Sequence, residues 1–387
     1  MQARDDHRPS HGRPASARFR CLQTADLVNA RLARQHLSSD PLGSPEEVVR
    51  SLLAVQAQEY EESKWSMAQR SGGPAESEVE ALLADGRILR THVMRPTWHY
   101  VLPEDLGWLQ RLTGPRVHVA NRASYNRVGH SDDDLRRADE VMVGAFADGE
   151  PRTRRELGAA LTDAGYADCA KGERLTHAVM HAELEGLIAS GPRRDKQFTY
   201  LPVDPAIRAG GPSGEAALAE LARRYFTAHG PARAQDLAWW SGLTLTQARA
   251  ALELVSAALE SSPFDGKPSG AWWFAPGSMP ALSGPARALM LGSFDESHIG
   301  YREPRAVAPH ELRLGFDFER PLLIEGRVVA GWRREKAARS VRVEVRPVGS
   351  LSGAERDLVA IEAKRFATFL ALPLELTVAK PGVAMRR

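Results

Sequence analysis

One order of predicted elements recurs three times in the first 275 residues, and it restricts the possible folds more than any single motif does. Each occurrence has helical segments with apolar residues three and four apart, followed by a short pair of β-like runs. The occurrences cover about 22–105, 138–203 and 215–275. Helices followed by a hairpin are the order of a winged-helix unit. We therefore predict three tandem winged-helix units, which share this order without close sequence similarity.

The pattern changes near residue 285, where short β-like runs alternate with turns that contain glycine. Runs of this kind cover 321–324, 327–332 and 341–345, and a helical segment follows over 352–370. Even spacing with such turns favours a small β-barrel or sheet. The predicted fold class is therefore α+β, with a C-terminal small β-barrel that a helix closes.

Domain boundaries follow from these patterns and from one stretch rich in glycine and proline. The predicted parts are a disordered basic tail at 1–21, winged-helix unit 1 with a connecting helix at 22–137, unit 2 at 138–205, a linker at 206–214, unit 3 at 215–284, and the barrel with its closing helix at 285–387.

Composition excludes several classes of protein. No apolar run approaches the roughly 20 residues that cross a bilayer, and the first residues lack the apolar core of a secretory signal. Cys21 and Cys169 lie far apart, which predicts neither a disulfide framework nor a zinc cluster. We expect a cytoplasmic protein. The net charge of +2 decides little, but seven arginines between Asp85 and His130 are compatible with nucleic-acid binding or with an ordinary surface.

Motifs for nucleotide cofactors and catalytic metals are absent from the sequence. It has no phosphate-binding loop and no Gly-x-Gly-x-x-Gly after a strand. His177 and His181 stand four apart on a predicted helix, but no Glu follows His177 and no third ligand is evident. Cys169 has no basic partner that would make it a nucleophile. We expect neither a metal nor a cofactor.

The tripeptide Gln56-Ala57-Gln58 comes where the second helix of unit 1 should end. Residues two apart on a helix point about 200° apart and cannot share a ligand, whereas in an extended segment they point the same way. If both glutamines act on one substrate, the helix must end near Val55. The alternative is a pair of ordinary polar residues on a helix surface.

Four stretches, which include this tripeptide, together resemble one known family. They are Leu53–Gln58, Arg90–Val101, Gly292–Arg302 and Leu323–Arg333. In this order they are similar to the winged-helix family of bacterial alkylpurine DNA glycosylases of the AlkZ/AlkX type. The resemblance implies three winged-helix units and a β-barrel that form a C-shaped clamp around duplex DNA. It also implies that Gln56 and Gln58 are catalytic. Gln58 stands where AlkX-type members have Asp, which indicates the AlkZ type, and Ser297-His298 departs from the expected pattern.

Two neutral amides suit one kind of substrate. Glutamine cannot act as an ordinary general base, but it can hold water and orient a base. A purine alkylated at N7 or N3 already carries positive charge and leaves without protonation. Its hydrolysis then depends on positioning and on stabilising an oxocarbenium-like sugar. Three acids just beyond the motif are further candidates to stabilise that sugar, and they are Glu59, Glu61 and Glu62.

Candidate DNA contacts form three groups. The first hairpin and its turn supply Arg95, Thr97 and His99, and strand alternation there leads us to expect Trp98 inside. The other candidates are cations, namely Arg193, Arg194 and Lys196 on the second wing-like turn, and, as a third group, Arg302 and Arg305.

The preferred hypothesis is a monomeric, nucleoid-associated and monofunctional DNA glycosylase without a lysine nucleophile in its motif. Its partner would be double-stranded DNA that contains alkylated purines, including bulky adducts and interstrand crosslinks, in base-excision repair or in self-resistance to an alkylating natural product. The alternatives are a winged-helix transcriptional regulator, which would usually need a dimer, and a relative that has kept the fold and lost activity.

Overall fold

The computed structural model describes residues 24–264, 267–277, 286–302 and 320–381. The predicted basic tail at 1–21 and the DNA-contact candidate Arg305 lie outside these residues. Within the described part of the chain, none of the helices is both long and apolar enough to cross a bilayer.

The first repeat consists of four helices and a three-stranded sheet. Its elements are α1 (Thr24–Arg34), α2 (Pro45–Leu52), β1 (Val55–Gln56), α3 (Tyr60–Arg70), α4 (Glu76–Ala84), β2 (Leu89–Val93) and β3 (Arg95–Val101). Helix α2 begins as the sequence predicts, because the Ser44 side chain caps it and Pro45 occupies the first turn. It ends at Leu52, where Leu53 adopts a φ of 71°.

The second repeat follows a long connecting helix. The elements are α5 (Pro103–Arg127), α6 (Asp132–Gly144), β4 (Arg152–Thr153), α7 (Arg154–Asp163), α8 (Gly172–Leu184), β5 (Ile188–Arg194), β6 (Gln197–Pro202) and α9 (Pro205–Ala209). Helix α6 crosses the predicted boundary at 137/138, and α9 occupies part of the predicted linker.

The third repeat has fewer residues in strands. Its elements are α10 (Gly214–His229), α11 (Ala234–Ser241), α12 (Leu245–Val255), β7 (Glu260–Phe264) and β8 (Lys267–Phe274). It packs closely on the first hairpin, since a Cβ atom at Gly242 would lie only 2.2 Å from the Met94 carbonyl oxygen. Gly242 ends α11 with a φ of 73°, which a residue with a side chain rarely adopts.

The same pairing occurs in all three repeats. A short extended segment between two helices pairs antiparallel with the last strand, so that this strand lies in the middle of the sheet. The paired residues are Val55 with Tyr100, Arg152 with Tyr200, and Ala232 with Trp273. The repeat is thus expressed in strand order as well as in the order of helices and hairpins.

The C-terminal part is an open, curled half-barrel sheet with a helix on it. Its elements are β9 (Ala288–Met290), α13 (Glu296–Ile299), β10 (Arg320–Ile324), β11 (Arg327–Lys336), β12 (Val341–Pro347), α14 (Gly353–Phe369) and β13 (Leu374–Val378). The predicted small β-barrel is thus present as a half-barrel, because β9 and β13 form the two edges of one five-stranded sheet. Aromatic side chains of helices pack on this sheet and bury its apolar residues without closure.

The first repeat and the C-terminal sheet share one hydrophobic core. Trp65 of α3 packs edge-on against Phe366 of α14, with ring centroids 5.3 Å apart, and Phe366 in turn contacts Trp332 of β11. The indole nitrogen of Trp65 donates a hydrogen bond of 2.8 Å to the Met290 carbonyl. A second core joins the third repeat to the first hairpin and α5, while the second repeat has its own core. The glutamine tripeptide lies where these parts meet.

Candidate active site

The backbone of the glutamine tripeptide is extended and held on both sides. Gln56 pairs with His99 of β3, and the Ala57 nitrogen donates to the Trp98 carbonyl at 2.7 Å. Arg90 of β2 donates two hydrogen bonds, of 3.1 and 3.2 Å, to the Ala57 carbonyl. The expectation that the helix ends before the tripeptide is therefore confirmed, since α2 stops at Leu52.

The two glutamines have different surroundings. Gln56 is in register with His99, which in turn pairs with Thr91, so these three side chains share one face of the β1-β3-β2 sheet. Gln58 lies beyond the end of β1, where regular pairing has stopped, and it lines a cleft together with Arg90 and Trp98. That both glutamines act on one substrate stays a prediction.

Gln56 lies in a buried polar cluster. Its side-chain nitrogen is 3.5 Å from the Thr97 hydroxyl, and its side-chain oxygen has no hydrogen-bond partner among the described residues. The Thr91 hydroxyl and His99 Nε2 are also buried without such a partner. These three residues are cross-strand neighbours, and their side chains share one face. A buried polar atom without a partner costs about 1–3 kcal/mol, so this cluster is suited to bind water or a polar group of a substrate.

Glu296 brings a buried negative charge to the tripeptide. One of its oxygens accepts a hydrogen bond of 2.8 Å from the Gln56 backbone nitrogen, and the other accepts one of 2.9 Å from the Trp240 indole. His229 Nε2 lies 3.6 Å from the same carboxylate. Burial alone would raise the pKa of Glu296, but the contact with His229 and the charge of Arg95 hold it below its ordinary value. Glu296 is therefore ionised beside Gln56.

A second buried carboxylate fixes the segment that carries Glu296. Asp295 accepts two hydrogen bonds of 2.7 Å from the guanidinium of Arg70, and further bonds from Ser66 and Ser297. Burial opposes its ionisation, yet the charge of Arg70 and these hydrogen bonds lower the pKa of Asp295. Ser297, which departs from the expected pattern, thus takes part in this network. The bidentate pair ties α3 to the turn before α13.

Gln58 is exposed and lines a cleft of about 440 Å³ between the first hairpin and the second repeat. Aromatic and cationic side chains form much of the wall. The Arg90 guanidinium lies 4.5 Å from the Trp98 ring centroid and 4.8 Å from that of Phe198. Tyr60 packs edge-on against Phe198 with centroids 5.0 Å apart. Such a wall offers stacking surfaces and positive charge to a nucleic acid.

A buried acid from the second repeat orders the first hairpin at this cleft. Glu183 of α8 lies 2.6 Å from His92 Nδ1 and accepts a hydrogen bond of 3.2 Å from the Trp98 indole. Its side chain is fully buried. The orientation of Trp98 in the cleft therefore depends on contact between the two repeats.

The expected burial of Trp98 and His99 is reversed. His99 is fully buried and Trp98 is partly exposed at the cleft. The reason is that the first repeat packs β3 against Glu296 and the third repeat, so the His99 face becomes the inner one. His99 Nδ1 lies 3.0 Å from the Thr97 carbonyl, and burial together with Arg95 lowers the pKa of His99 to about 3. His99 is thus a neutral inner residue with no solvent-exposed surface for DNA.

The other candidates of the first hairpin remain near the surface on the same face as Gln56. Arg95 and Thr97 are both partly exposed. Arg302 is exposed, and its backbone nitrogen donates a hydrogen bond of 3.0 Å to Asp236. The structure thus brings Arg95, Thr97 and His99 together with Gln56.

The cations of the second turn differ in what they contact. Lys196 is exposed and lines the Gln58 cleft. Arg193 lies 5.1 Å from the Phe198 ring centroid and 3.4 Å from a Glu61 oxygen. Arg194 pairs with Glu156 at 2.7 Å. Lys196 is consequently the most available of the three for a phosphate.

Two of the three acids beyond the tripeptide are paired with cations. Glu62 is buried, pairs with Arg320 and accepts a hydrogen bond of 3.0 Å from the Ser293 nitrogen. Glu61 lies 3.3 Å from Lys64. Glu59 is exposed. The nearest buried carboxylate to the tripeptide is instead Glu296, which sequence reasoning missed although it lies in the Gly292–Arg302 stretch.

The fold is that of a solved DNA-repair enzyme. The structure of the Streptomyces sahachiroi DNA glycosylase AlkZ aligns with 92% of this chain and 100% of its own, with a TM-score of 0.75 and 21% sequence identity. At this identity the similarity shows a shared mixed α/β fold.

Sequence comparison points to the same group of proteins. An interstrand DNA cross-link repair glycosylase from Streptomyces sahachiroi is 27% identical over 230 residues, which are 56% of this chain and 60% of that protein. The alignment therefore covers less than two thirds of the relative. The profile of the family described as DNA glycosylase AlkZ-like matches residues 49–369. The chain belongs to the AlkZ-like DNA glycosylase family.

Proposed function

We propose that this protein is a monofunctional DNA glycosylase that hydrolyses the N-glycosidic bond of purines alkylated at N7 or N3. The observation that carries this proposal is the buried cluster around Gln56, whose side-chain oxygen has no partner among the described residues and whose backbone nitrogen donates to the ionised carboxylate of Glu296. The amide can orient water, while the charge of Glu296 favours positive charge that develops on the sugar. A cationic base needs no general acid, so neutral residues can suffice.

We assign different roles to the two glutamines because their surroundings differ. Gln56 would orient the attacking water, and Gln58 would contact DNA or the damaged base in the Gln58 cleft. Arg95, Thr97 and Lys196 would hold the phosphate backbone, which supplies affinity without sequence choice. His99 would act from inside, next to Gln56, and Arg193, Arg194, Arg302 and Arg305 stay candidate phosphate contacts.

We also propose that the three repeats are winged-helix units in a C-shaped clamp around duplex DNA. Their shared strand order supports this, since the hairpin of each is preceded by helices and its last strand pairs with an earlier extended segment. An open clamp would admit bulky adducts and interstrand crosslinks. The Streptomyces relative is an interstrand DNA cross-link repair glycosylase, so a crosslinked duplex is a natural substrate to test. The lesion that the enzyme prefers would decide between two cytoplasmic roles, self-resistance to an alkylating natural product and general base-excision repair.

The first experiment is incubation with duplexes that carry N7-methylguanine or a purine crosslink, followed by detection of abasic sites and of unhooked strands. We expect base release from at least one of them. Gln56→Ala and Gln58→Ala should lower release on the order of 100-fold, as loss of an oriented polar group at a reacting centre does. Gln247→Ala, which changes a glutamine on α12, is the matched control and should keep full activity. DNA binding without release from either lesion would favour the regulator or an inactive relative.

Monofunctional chemistry needs its own test because Lys196 lines the Gln58 cleft. A lysine nucleophile would form a Schiff base with the sugar, and borohydride would then link enzyme and DNA. We expect no covalent complex with the wild-type protein. A complex that disappears in Lys196→Ala would make the enzyme bifunctional.

A further inference from the structure

A second cleft, of about 800 Å³, lies in the second repeat next to the C-terminal turn of α8. Three potential metal ligands meet there, and they are His118 of α5, His181 of α8 and Glu185 at the end of α8. None of the three lines the Gln58 cleft. Helix α8 contributes Glu183 to that cleft. The site comes from elements more than 60 residues apart in the chain.

The ligand atoms are nearly close enough to bind one ion. One atom from each residue lies within 4.8 Å of the other two. His118 Nε2 and a Glu185 oxygen are 3.0 Å apart, and the two imidazole centroids are 4.7 Å apart. Ligand atoms around one tetrahedral zinc ion lie about 3.4 Å apart. Small side-chain rotations would therefore complete the geometry.

Each histidine is oriented by a contact of its Nδ1 atom, which leaves Nε2 for the metal. His181 Nδ1 lies 2.9 Å from a carboxylate oxygen of Asp139, which is on α6 and almost fully buried. His118 Nδ1 lies 3.3 Å from the Tyr125 hydroxyl. A histidine whose Nδ1 hydrogen is held by an acceptor presents Nε2 to a metal, and metal-binding histidines commonly have such a carboxylate partner.

Neighbouring charges do not oppose a cation at this place. Arg122 and Arg136 line the cleft, but each forms an ion pair with an aspartate of α6. Asp139 and Glu140 add negative charge to the same wall. Arg208 is the remaining cation of the lining, and it faces a site with three carboxylates.

We propose that His118, His181 and Glu185 bind one divalent ion of the zinc class, with Asp139 and Tyr125 as positioning residues. Two imidazoles and a carboxylate favour Zn²⁺ and similar transition metals over Mg²⁺ and Ca²⁺, which prefer oxygen ligands. The ion would take the place of the 3.0 Å contact between His118 Nε2 and Glu185, and any proton held there would pass to solvent. Three protein ligands leave a fourth position for water or an anion.

The sequence did not predict this site because the useful helical pair is His181 with Glu185, one turn later than His177 with His181. His177 instead packs edge-on against Tyr125, with centroids 5.4 Å apart. The ion would connect α5 to the last turn of α8. Glu183, which orders His92 and Trp98, lies in the same turn. Metal binding would therefore stabilise one wall of the Gln58 cleft.

The test uses the full-length, tag-free protein, first stripped with a chelator and then titrated with ZnCl₂ against a chromophoric competitor. We expect one tight equivalent of Zn²⁺ and, with CoCl₂, the intense visible absorption of a four-coordinate site. His118→Ala and His181→Ala should each weaken binding at least about 10-fold, and Asp139→Asn about 10-fold. His177→Ala, on the same helix, is the matched control and should leave affinity unchanged.

Circular dichroism in chelator checks that each variant folds. If a histidine variant does not, Glu185→Gln replaces it, because the Glu185 side chain is 48% exposed and its change leaves packing intact. Wild-type protein that binds Zn²⁺ no more tightly than Glu185→Gln overturns the proposal, as does an equal loss in His177→Ala.

Discussion

At the scale of single residues, Glu296 connects three parts of the chain at the tripeptide. Its carboxylate accepts hydrogen bonds from the Gln56 nitrogen and the Trp240 indole and lies beside His229. Because it is fully buried, we propose that it acts through Gln56 and not by touching DNA. Glu296 is thus a positioning residue, and its charge also makes the electrostatic potential around Gln56 more negative.

Glu296→Gln should lower the rate of base release on the order of 10- to 100-fold and leave undamaged-duplex affinity within about 2-fold. The amide keeps the volume but removes the charge and cannot accept both hydrogen bonds equally well. Single-turnover kinetics and binding to undamaged DNA measure the two effects. Glu253→Gln, an exposed acid on α12, serves as control. A parallel loss of rate and affinity would indicate a structural role instead.

Arg90 has two functions that only a planar guanidinium serves. It donates twice to the Ala57 carbonyl and stacks between Trp98 and Phe198. We expect Arg90→Lys to reduce base release about 10-fold while the charge is conserved, since lysine cannot form the bidentate contact. Retained wild-type rates in this variant would show that the clamp on Ala57 is dispensable.

His99 makes a distinct contribution to acid sensitivity. Burial holds its folded-state pKa at about 3, below the ordinary 6.5. Between about pH 6.5 and 3, His99 therefore binds a proton in the unfolded chain but not in the folded chain. As the pH drops through this range, His99 lowers the free energy of unfolding by at most about 1.4 kcal/mol per pH unit. Urea unfolding of His99→Gln between these pH values should show a shallower decline than the wild type. Equal slopes would mean that His99 is protonated in the folded state.

At the scale of elements, α4 and the hairpins differ in charge. Helix α4 carries Glu76, Glu78 and Glu80 and no basic residue. Buried Lys64 lies within 2.7 Å of Glu76 and Glu80, and Lys336 lies 2.8 Å from Glu76. An acidic helix would repel phosphate, so the hairpins are the better DNA contacts in the first repeat.

Lys64→Met should destabilise the fold by about 3 kcal/mol at neutral pH, because it leaves several close carboxylates without their buried counter-ion. Burial opposes ionisation of Glu76, but its hydrogen bonds with Glu61, Lys336 and Lys64 lower its pKa to about 2. That stabilisation is present above the ordinary value near 4.5 and is lost as the pH falls toward about 2. The deficit of Lys64→Met in urea unfolding should accordingly shrink in acid. A deficit that is constant with pH would show lost packing alone.

The second hairpin should contact DNA mainly through Lys196. Lys196→Ala should reduce the slope of log affinity against log salt by about 1, the change expected for one lost phosphate contact. Arg194→Ala should change it less, since Arg194 already pairs with Glu156. Fluorescence anisotropy at several salt concentrations gives both slopes. Equal effects of the two changes would mean that the Glu156 pair opens on DNA.

Some of these elements were predictable from sequence for clear reasons. The start of α2 is encoded locally by Ser44 and Pro45, and the need for two side chains near one substrate predicted its end before Gln56. The inward side of β3 was not predictable, because both Trp98 and His99 can be buried and distant partners decide between them. The same holds for Glu296, whose role depends on contacts with residues 240 positions away. The strand pattern left a small barrel and a sheet as alternatives, because helix packing on a sheet leaves no periodic signal in the strands.

At the scale of the whole molecule, two hydrophobic cores are each shared between parts of the chain, so these parts are not independent domains. Arg70 and Asp295 join the first repeat to the C-terminal part through a bidentate pair in which both side chains are fully buried. The shared core of Trp65, Phe366 and Trp332 reinforces this junction. The site therefore requires the C-terminal part for its geometry.

Asp295→Ala should destabilise the protein by about 3–5 kcal/mol, as removal of one partner of a buried ion pair does. Because Asp295 also positions the segment that carries Glu296, base release per folded molecule should fall as well. Thermal unfolding and single-turnover rates at a temperature where the variant is folded separate the two losses. Normal rates in folded Asp295→Ala would show that Glu296 is positioned without it.

We propose that Gln56, next to an ionised carboxylate, orients water for attack on a sugar whose base is already cationic. The decisive measurement is the single-turnover rate of 7-methylguanine release from a duplex by the wild type, Gln56→Ala and Gln247→Ala. We expect release by the wild type and by Gln247→Ala, and a rate on the order of 100-fold lower for Gln56→Ala with unchanged duplex affinity. Equal rates for Gln56→Ala and the wild type would show that Gln56 does not orient the water.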